Sequence, residues 1–453
     1  MLITFFDIEE EEISTFSVKA LFSSTMDNAQ IITIGNELLI GDTVNTNASW
    51  IGRFLTENGF SVKQVFTLPD EYNLVKKRVE NSIKNCALTI VTGGLGPTHD
   101  DITKKIVADI FDAEMVMDED VLDHIKKIFE RRDFVFSKSN ADQALVPENC
   151  TVLFNTQGTA PGMWFEHKGN GLAVLPGVPF EMKYLMENGV KPQIDRFFPK
   201  RDVWATRYYK TAGVPESTLS DDVVGDLTEY LNNGVSVAYL PGAAGVTIRI
   251  SASGESRKSA GKKLDKLSDV LHQKAGPVIY GEGRDCELAA VIGELLVEKE
   301  LTIATAESCT GGMIANTITD VSGSSRYMLG GIIAYANDVK TGQLGVDQNI
   351  LENDGAVSKN VALQMAEGVA DKMKASIGIS TTGIAGPTGG TEEKPVGTVW
   401  MGFWFDGVRF ALKANFTNDR HINKLRTEMV VLETIRRHLL GLESYPYQLN
   451  PQR

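Results

Sequence analysis

Between residues 30 and 200, short apolar runs alternate with stretches whose apolar positions recur every three to four residues. Gln30-Ile31-Ile32-Thr33-Ile34 reads as a strand that ends in Gly35. From Asn47 to Asn58 the apolar residues Ala48, Ile51, Phe54 and Leu55 share one helical face, and Gly59 suits the end of that helix. Ser61–Phe66 reads as a strand and Tyr72–Ile83 as a helix. Ala87–Val91 reads as a strand running into Thr92-Gly93-Gly94-Leu95-Gly96-Pro97-Thr98, and Leu172–Leu175 as one running into Pro176-Gly177-Val178-Pro179. Strands that end in glycine-rich turns, with helices between them, predict a parallel sheet whose sites lie at the strand C-termini.

The pattern changes after residue 200. Trp204–Thr211 and Gly245–Ser251 alternate apolar and polar positions, as half-buried antiparallel strands do, and helical stretches follow each. Gly281-Glu282-Gly283-Arg284-Asp285 is the best linker. From residue 287 the α/β alternation returns, with strands expected at 301–305, 331–335, 376–382 and 396–404 and a closing helix over 423–440. The expected class is α/β and multi-domain: two three-layer α/β domains with mostly parallel sheets, joined by a small α+β middle domain. The expected boundaries are an acidic, disordered extension at 1–27, domains at 28–200, 201–283 and 287–442, and a tail at 443–453.

Composition narrows the function. A chain of 453 residues exceeds one ordinary core. Its formal charge of −14 argues against a broad nucleic-acid surface, and no apolar run reaches the length of a membrane span. Cys86, Cys150, Cys286 and Cys309 are widely spaced and form no metal or disulfide pattern, which points to a reduced, cytoplasmic protein. The first 27 residues carry the run Glu9–Glu12 and one lysine, unlike a secretory signal; they read as an extension, or as lying upstream of a start at Met26.

Three loops are expected at one edge of the first sheet: Gly35–Asn47, Gly93–Asp101 and Pro176–Pro179. They nominate Glu37, Asp42, Asn45, Asn47, Gly93, Gly94, Gly96, Thr98 and Gly177 as a nucleotide site, since glycines let backbone amides approach phosphate oxygens. Asp100 and Asp101 are metal candidates, because carboxylates beside such a cradle can hold a divalent ion bridging the phosphates. The alternative is that these aspartates cap a helix and the glycines merely turn the chain. The segments GNELLIGDTVNTN, NTQGTAPG, TGGLGPTHDD and LPGVPFEM resemble the molybdopterin-binding-like domain of the competence/damage-inducible CinA family, over about residues 28–195. The resemblance implies metal-dependent (Mg, Mn or Co) hydrolysis of the ADP-ribose pyrophosphate. One position departs: Asp142 stands in Asn140-Ala141-Asp142-Gln143-Ala144 where that family often has lysine, which counts against turnover but not against the fold.

In the last domain, Ala306-Glu307-Ser308-Cys309-Thr310-Gly311-Gly312 lies at a strand-to-helix turn. There Ser308 could be a nucleophile, a phosphate ligand or a helix cap. A serine nucleophile needs a base. His421 and His438 lack a suitable context, whereas Lys340 could serve if burial lowered its pKa. Taken alone, Lys340 reads as a solvated surface lysine, Tyr335 as a core or rim aromatic, and Cys309 as a rival nucleophile. The amides of Cys309 and Thr310 could hold an oxyanion. Gly311 lies in the same turn. The phosphate candidates are the loop carrying Gly383, Ala385, Gly386, Gly389 and Gly390, then Arg420 and Arg426. Ser358 is placed to cap a helix over 360–374.

AESCTGG, GGIIAYANDVK, GAVS, TGIAGPTGG and KPVGTVW resemble the CinA C-terminal domain over about residues 287–440. The resemblance implies a nicotinamide mononucleotide amidohydrolase that needs no cofactor, with Ser308, Lys340 and Tyr335 catalytic. The implied ligands are nicotinamide mononucleotide and ADP-ribose. No membrane or direct nucleic-acid partner is expected, and a homodimer is. Two other readings stay open: a non-catalytic binding or oligomerisation role for the N-terminal domain, or a competence or DNA-damage accessory protein.

Overall fold

The computed structural model describes residues 27–96, 102–199, 201–232, 234–242 and 245–453. By its internal contacts the chain divides into two compact units. One takes the described residues up to Ala205 with Ala252–Gly261; the other takes Thr206–Ser251 and Lys262–Arg453.

The N-terminal sheet is built from β1 (Asp27–Ile34), β2 (Phe60–Leu68), β3 (Leu88–Thr92), β6 (Thr151–Leu153), β7 (Gly162–His167) and β8 (Asn170–Leu175), in the order β2-β1-β3-β8-β7-β6. A separate pair, β4 (Met115–Met117) and β5 (Leu145–Pro147), is antiparallel. The first four strands of the sheet are parallel. The other two turn back as an antiparallel meander. One core face packs Ile31, Leu88, Ile90 and Trp164 against Ile51 and Leu55 of α1 (Thr46–Glu57). The opposite face packs Ile32, Val91 and Val174 against Val75 and Val79 of α2 (Tyr72–Asn85) and Ile106 of α3 (Thr103–Ile110). Two cores on two faces make the expected three layers. The meander follows from sequence that the apolar pattern understates: in β7, Gly-Met-Trp-Phe-Glu-His is buried over its first four positions and does not alternate.

The middle module orders its strands β10 (Val235–Gly242), β11 (Gly245–Gly254), β9 (Val203–Thr211) and β12 (Ile279–Glu282). Helix α4 (Arg257–Ala275) buries Leu264, Leu267 and Leu271. Its Ser268 hydroxyl accepts from Tyr209 Oη at 2.7 Å. The expected linker starts inside this sheet, because Gly281 and Glu282 pair with Lys210 and Tyr209.

The C-terminal sheet has the order β14 (Met328–Ile333), β13 (Ile303–Glu307), β15 (Ile377–Gly383), β16 (Thr398–Phe405), β17 (Val408–Asn415). The first three strands are parallel. The last two are antiparallel, so this sheet is mixed. For β17 the reason is local. Asp406 and Gly407, with φ of 43° and 90°, form a two-residue hairpin turn that leaves no room for a helical crossover. Helices α5 (Leu288–Glu298) and α9 (Arg420–Leu439) cover one face around Ile303, Ile379 and Met401. Between them in sequence come α6 (Met313–Thr319), α7 (Asn337–Leu344) and α8 (Lys359–Met373), of which α7 and α8 pack the opposite face around Ala304 and Ala306. Ser358 caps α8, its side chain accepting from the Val361 amide. No described helix is long and apolar enough to cross a membrane.

Candidate functional site

The turn after β13 settles which role each of its groups can take. Gly312 has φ of 94° and cannot cap α6 with a side chain. Glu307, the last residue of β13 and 1 % exposed, does so from across the turn: its carboxylate accepts from the amides of Gly312 (3.0 Å), Ile314 (3.2 Å) and Ala315 (2.8 Å). A carboxylate on those donors suits the positive end of the helix. The helix start is therefore occupied, and Ser308 does not cap it. The Ser308 amide is pinned to Thr381 O at 2.9 Å and that of Gly311 to Ser308 O at 3.2 Å, while among the described residues no backbone carbonyl takes the Cys309 or Thr310 amide. Glu307 is the functional residue that sequence reasoning missed. The available signal was an ionisable residue ending an otherwise apolar strand, followed by a helix with no Ser, Thr, Asp or Asn at its cap.

Ser308, Cys309, Tyr335, Lys340, Gly383, Ala385 and Arg420 line one cavity of about 240 Å³, together with Asn337, Ala356, Val357 and Thr382. Lys340 is 1 % exposed, which overturns the surface-lysine reading. Its Nζ donates to the carbonyls of Ala334 at 2.8 Å and Tyr335 at 3.3 Å. Burial lowers the pKa of this amine from its ordinary value, opposed by the Cys309 thiol beside it. Lys340 and Ser308 face the same space without a hydrogen bond between them. Catalytic contacts often tighten only when substrate is bound. Burial pushes the Cys309 thiol up to about 12, so it stays protonated and is a poor nucleophile at neutral pH.

Tyr335 stands at the rim, 62 % exposed, and its hydroxyl accepts from Arg420 Nη2 at 2.9 Å. Arg420 Nη1 donates to Gly386 O at 3.0 Å. Asn423, fully buried, donates to Ala385 O at 2.9 Å and Thr417 O at 2.7 Å, which ties the 383–386 loop to the start of α9.

The remaining candidates lie elsewhere. Thr310 is buried, its hydroxyl 2.7 Å from that of Thr381, and Gly311 points to solvent. Gly386 is not among the lining residues. Gly389 and Gly390 ride an exposed excursion pinched off where Ile384 pairs with Gly397 and Thr398. Arg426 lines a different cavity. Six residues along a helix turn it by about 240°, so Arg420 and Arg426 cannot share a face. His421 is exposed, and His438 stacks on Phe405 at 3.7 Å; neither lines the Ser308 cavity.

In the N-terminal domain, Glu37, Asn45, Asn47 and Gly177 line a cavity of about 120 Å³ with Thr33 and Thr92 at the ends of β1 and β3. Asn45 caps α1 and donates to Thr33 Oγ1 at 2.9 Å. Asn47 donates to Gly177 O at 2.7 Å, while its buried Oδ1 has no partner among the described residues. Asp42, Gly93 and Gly94 are not among the lining residues. Gly93 and Gly94, with φ of 109° and 66°, are needed for the turn: a Cβ would come 2.2 Å from Ile34 O and 2.3 Å from Thr103 Oγ1. Gly96 does not line the cavity either. Asp142 is exposed in a short helix over Lys138–Asp142. Thr98, Asp100 and Asp101 lie outside the described residues. Without those aspartates, Glu37 is the one carboxylate lining the cavity, and the described residues contain no group of three His, Cys, Asp or Glu able to hold a metal.

Three family models match the chain in order: a probable molybdopterin binding domain over residues 30–196, the damage-inducible protein CinA KH domain over 206–281, and the CinA C-terminal domain over 285–439. A CinA-like protein of Salinibacter ruber is 42% identical over 412 residues, covering 91% of this chain and 99% of its own. One from Chloroherpeton thalassium is 41% identical over 418 residues, covering 90% and 98%. The crystal structure of the protein CinA from Thermoplasma acidophilum, titled as of unknown function, is 37% identical and covers 37% of this chain and 99% of its own, with a TM-score of 0.35. The chain belongs to the CinA-like protein family.

Proposed function

We propose that the C-terminal domain hydrolyses the carboxamide of nicotinamide mononucleotide, giving nicotinate mononucleotide and ammonia. The observation that carries this reading is a fully buried lysine of lowered pKa in the same cavity as an uncapped serine. Neutral Lys340 takes the Ser308 proton as Oγ attacks the amide carbon. The amides of Cys309 and Thr310, which no backbone carbonyl among the described residues takes, suit the developing oxyanion. Lys340 then returns the proton to the leaving nitrogen, ammonia departs, and water hydrolyses the ester on Ser308. At about 240 Å³ the cavity suits the pyridine ring rather than a whole nucleotide, leaving the ribose phosphate at the mouth beside Arg420 and Tyr335. Guanidinium forks recognise phosphate well. Ammonia release from nicotinamide mononucleotide, lost in Ser308→Ala, tests the reading.

For the N-terminal domain the supported reading is nucleotide binding at the β1 and β3 edge. The unpartnered Asn47 Oδ1 marks an acceptor open to a ligand hydroxyl or amine. ADP-ribose hydrolysis assayed with Mg, Mn and Co separates turnover from binding alone: phosphate-monoester products support an enzyme, and unchanged ADP-ribose supports a binding module.

A further inference from the structure

The second compact unit holds a cavity larger than the one lined by Ser308. It has a volume of about 670 Å³, lies between the middle module and the C-terminal domain, and shares no lining residue with the first. Its walls are apolar: Val214, Pro215 and Val246 on one side, Phe416, Val430 and Leu449 on the other. The walls are held in place, since Arg436 Nη2 of α9 donates to Pro277 O at 2.7 Å and the Tyr447 amide to Gly213 O at 2.6 Å. Tyr447 lines the cavity with φ of 52°, and Gln448 follows at 55°. Two consecutive non-glycine residues in the left-handed region are costly, and such strain concentrates at ligand sites.

The charges of the cavity select the ligand. Arg436 and Arg437 on α9 share the buried Glu433, whereas Arg426 is exposed to the cavity and has no carboxylate among the described residues. Lys413 adds a second positive group and Glu216 the one negative group of the lining. An unpaired guanidinium above apolar walls with two aromatic rings, Phe416 and Tyr447, calls for an anion with a flat apolar body. The volume falls in the range of small-molecule sites. We propose that this cavity binds a small organic anion of nucleoside-monophosphate size, its ring against Phe416 and Tyr447 and its anionic group on Arg426. The proposal stands independently of the chemistry assigned to Ser308.

The test is isothermal titration of the full chain with adenosine 5′-monophosphate as probe, and with adenosine as its uncharged counterpart. The expected result is saturable binding of the monophosphate with Kd below about 1 mM and binding of adenosine at least tenfold weaker, the size of one lost charge-assisted hydrogen bond. Arg426→Gln is expected to weaken the monophosphate at least tenfold, and Arg409→Gln, an exposed guanidinium that lines neither cavity, to leave it unchanged. Arg426 makes no structural ion pair, so its variant keeps the fold; an unshifted thermal melt checks this. Absence of saturable binding, equal affinity for adenosine, or monophosphate binding that survives Arg426→Gln overturns the proposal.

Discussion

Replacing Lys340 with Met separates its chemical role from its packing. The side chain is 1 % exposed, and Met preserves most of its volume while removing the amine. Two carbonyls, Ala334 O and Tyr335 O, lose their donor. Left unpaired, each costs about 1–3 kcal/mol, partly offset because a desolvated amine is also removed. The net stability change is expected near 1–3 kcal/mol, too small to unfold the domain. Loss of a general base costs about 10²–10⁴ in rate, so amide hydrolysis at saturating nicotinamide mononucleotide is expected to fall by that factor while the thermal melt shifts by a few degrees. The pH dependence gives an independent readout. Burial lowers the Lys340 pKa, so the neutral, reactive amine gains population as pH rises through a value below 10.5. The folded state therefore binds fewer protons there than the unfolded chain, and this contribution to stability grows with pH and fades as pH falls through the folded pKa. The rising limb of kcat/KM is expected below pH 10.5 and is expected to vanish in the variant. A Lys340→Met enzyme that keeps its rate within threefold, with its rising limb intact, would refute the base assignment.

Glu307→Ala removes the acceptor of three amides at the start of α6 and is expected to cost about 3 kcal/mol, or some 6–12 °C in the melt of the C-terminal domain. A shift under 2 °C contradicts the cap. Cys309→Ala is expected to keep activity within about fivefold, because the thiol is held protonated by burial; complete loss would shift the nucleophile from Ser308 to Cys309. Arg420→Gln is expected to raise KM for the nucleotide about tenfold or more with a smaller effect on kcat, since the phosphate is remote from the reacting amide. An unchanged KM removes Arg420 from the phosphate site.

Much of this was legible in the chain itself. Short apolar runs located β1 to β3, β8 and β13 to β16, and helical spacing the long α9, to within a few residues; β3, β13 and β15 are buried almost throughout, as apolar runs without alternation require. β17 was missed. Its Val-Arg-Phe-Ala-Leu-Lys-Ala-Asn is buried at three consecutive positions, Phe410 to Leu412, and its hairpin turn is only two residues long. Lys340 could not be seen as buried, because a lysine in a short helix looks solvated until α7 is packed under Ala334. Arg420 and Arg426 are both phosphate candidates for their guanidinium forks, although helical geometry already places them on different faces. The role of Glu307 depends on a turn that brings a strand end against a helix start five to eight residues later, a contact that no linear motif encodes.

Carboxamide cleavage in the Ser308 cavity is the proposed chemistry on which the rest depends. Its most direct test is ammonia released from nicotinamide mononucleotide by the intact chain and by Ser308→Ala, measured side by side. The parent is expected to release stoichiometric ammonia and nicotinate mononucleotide, and the variant to lose at least a thousandfold in rate. Equal ammonia release by both chains, or none from the parent, would contradict it.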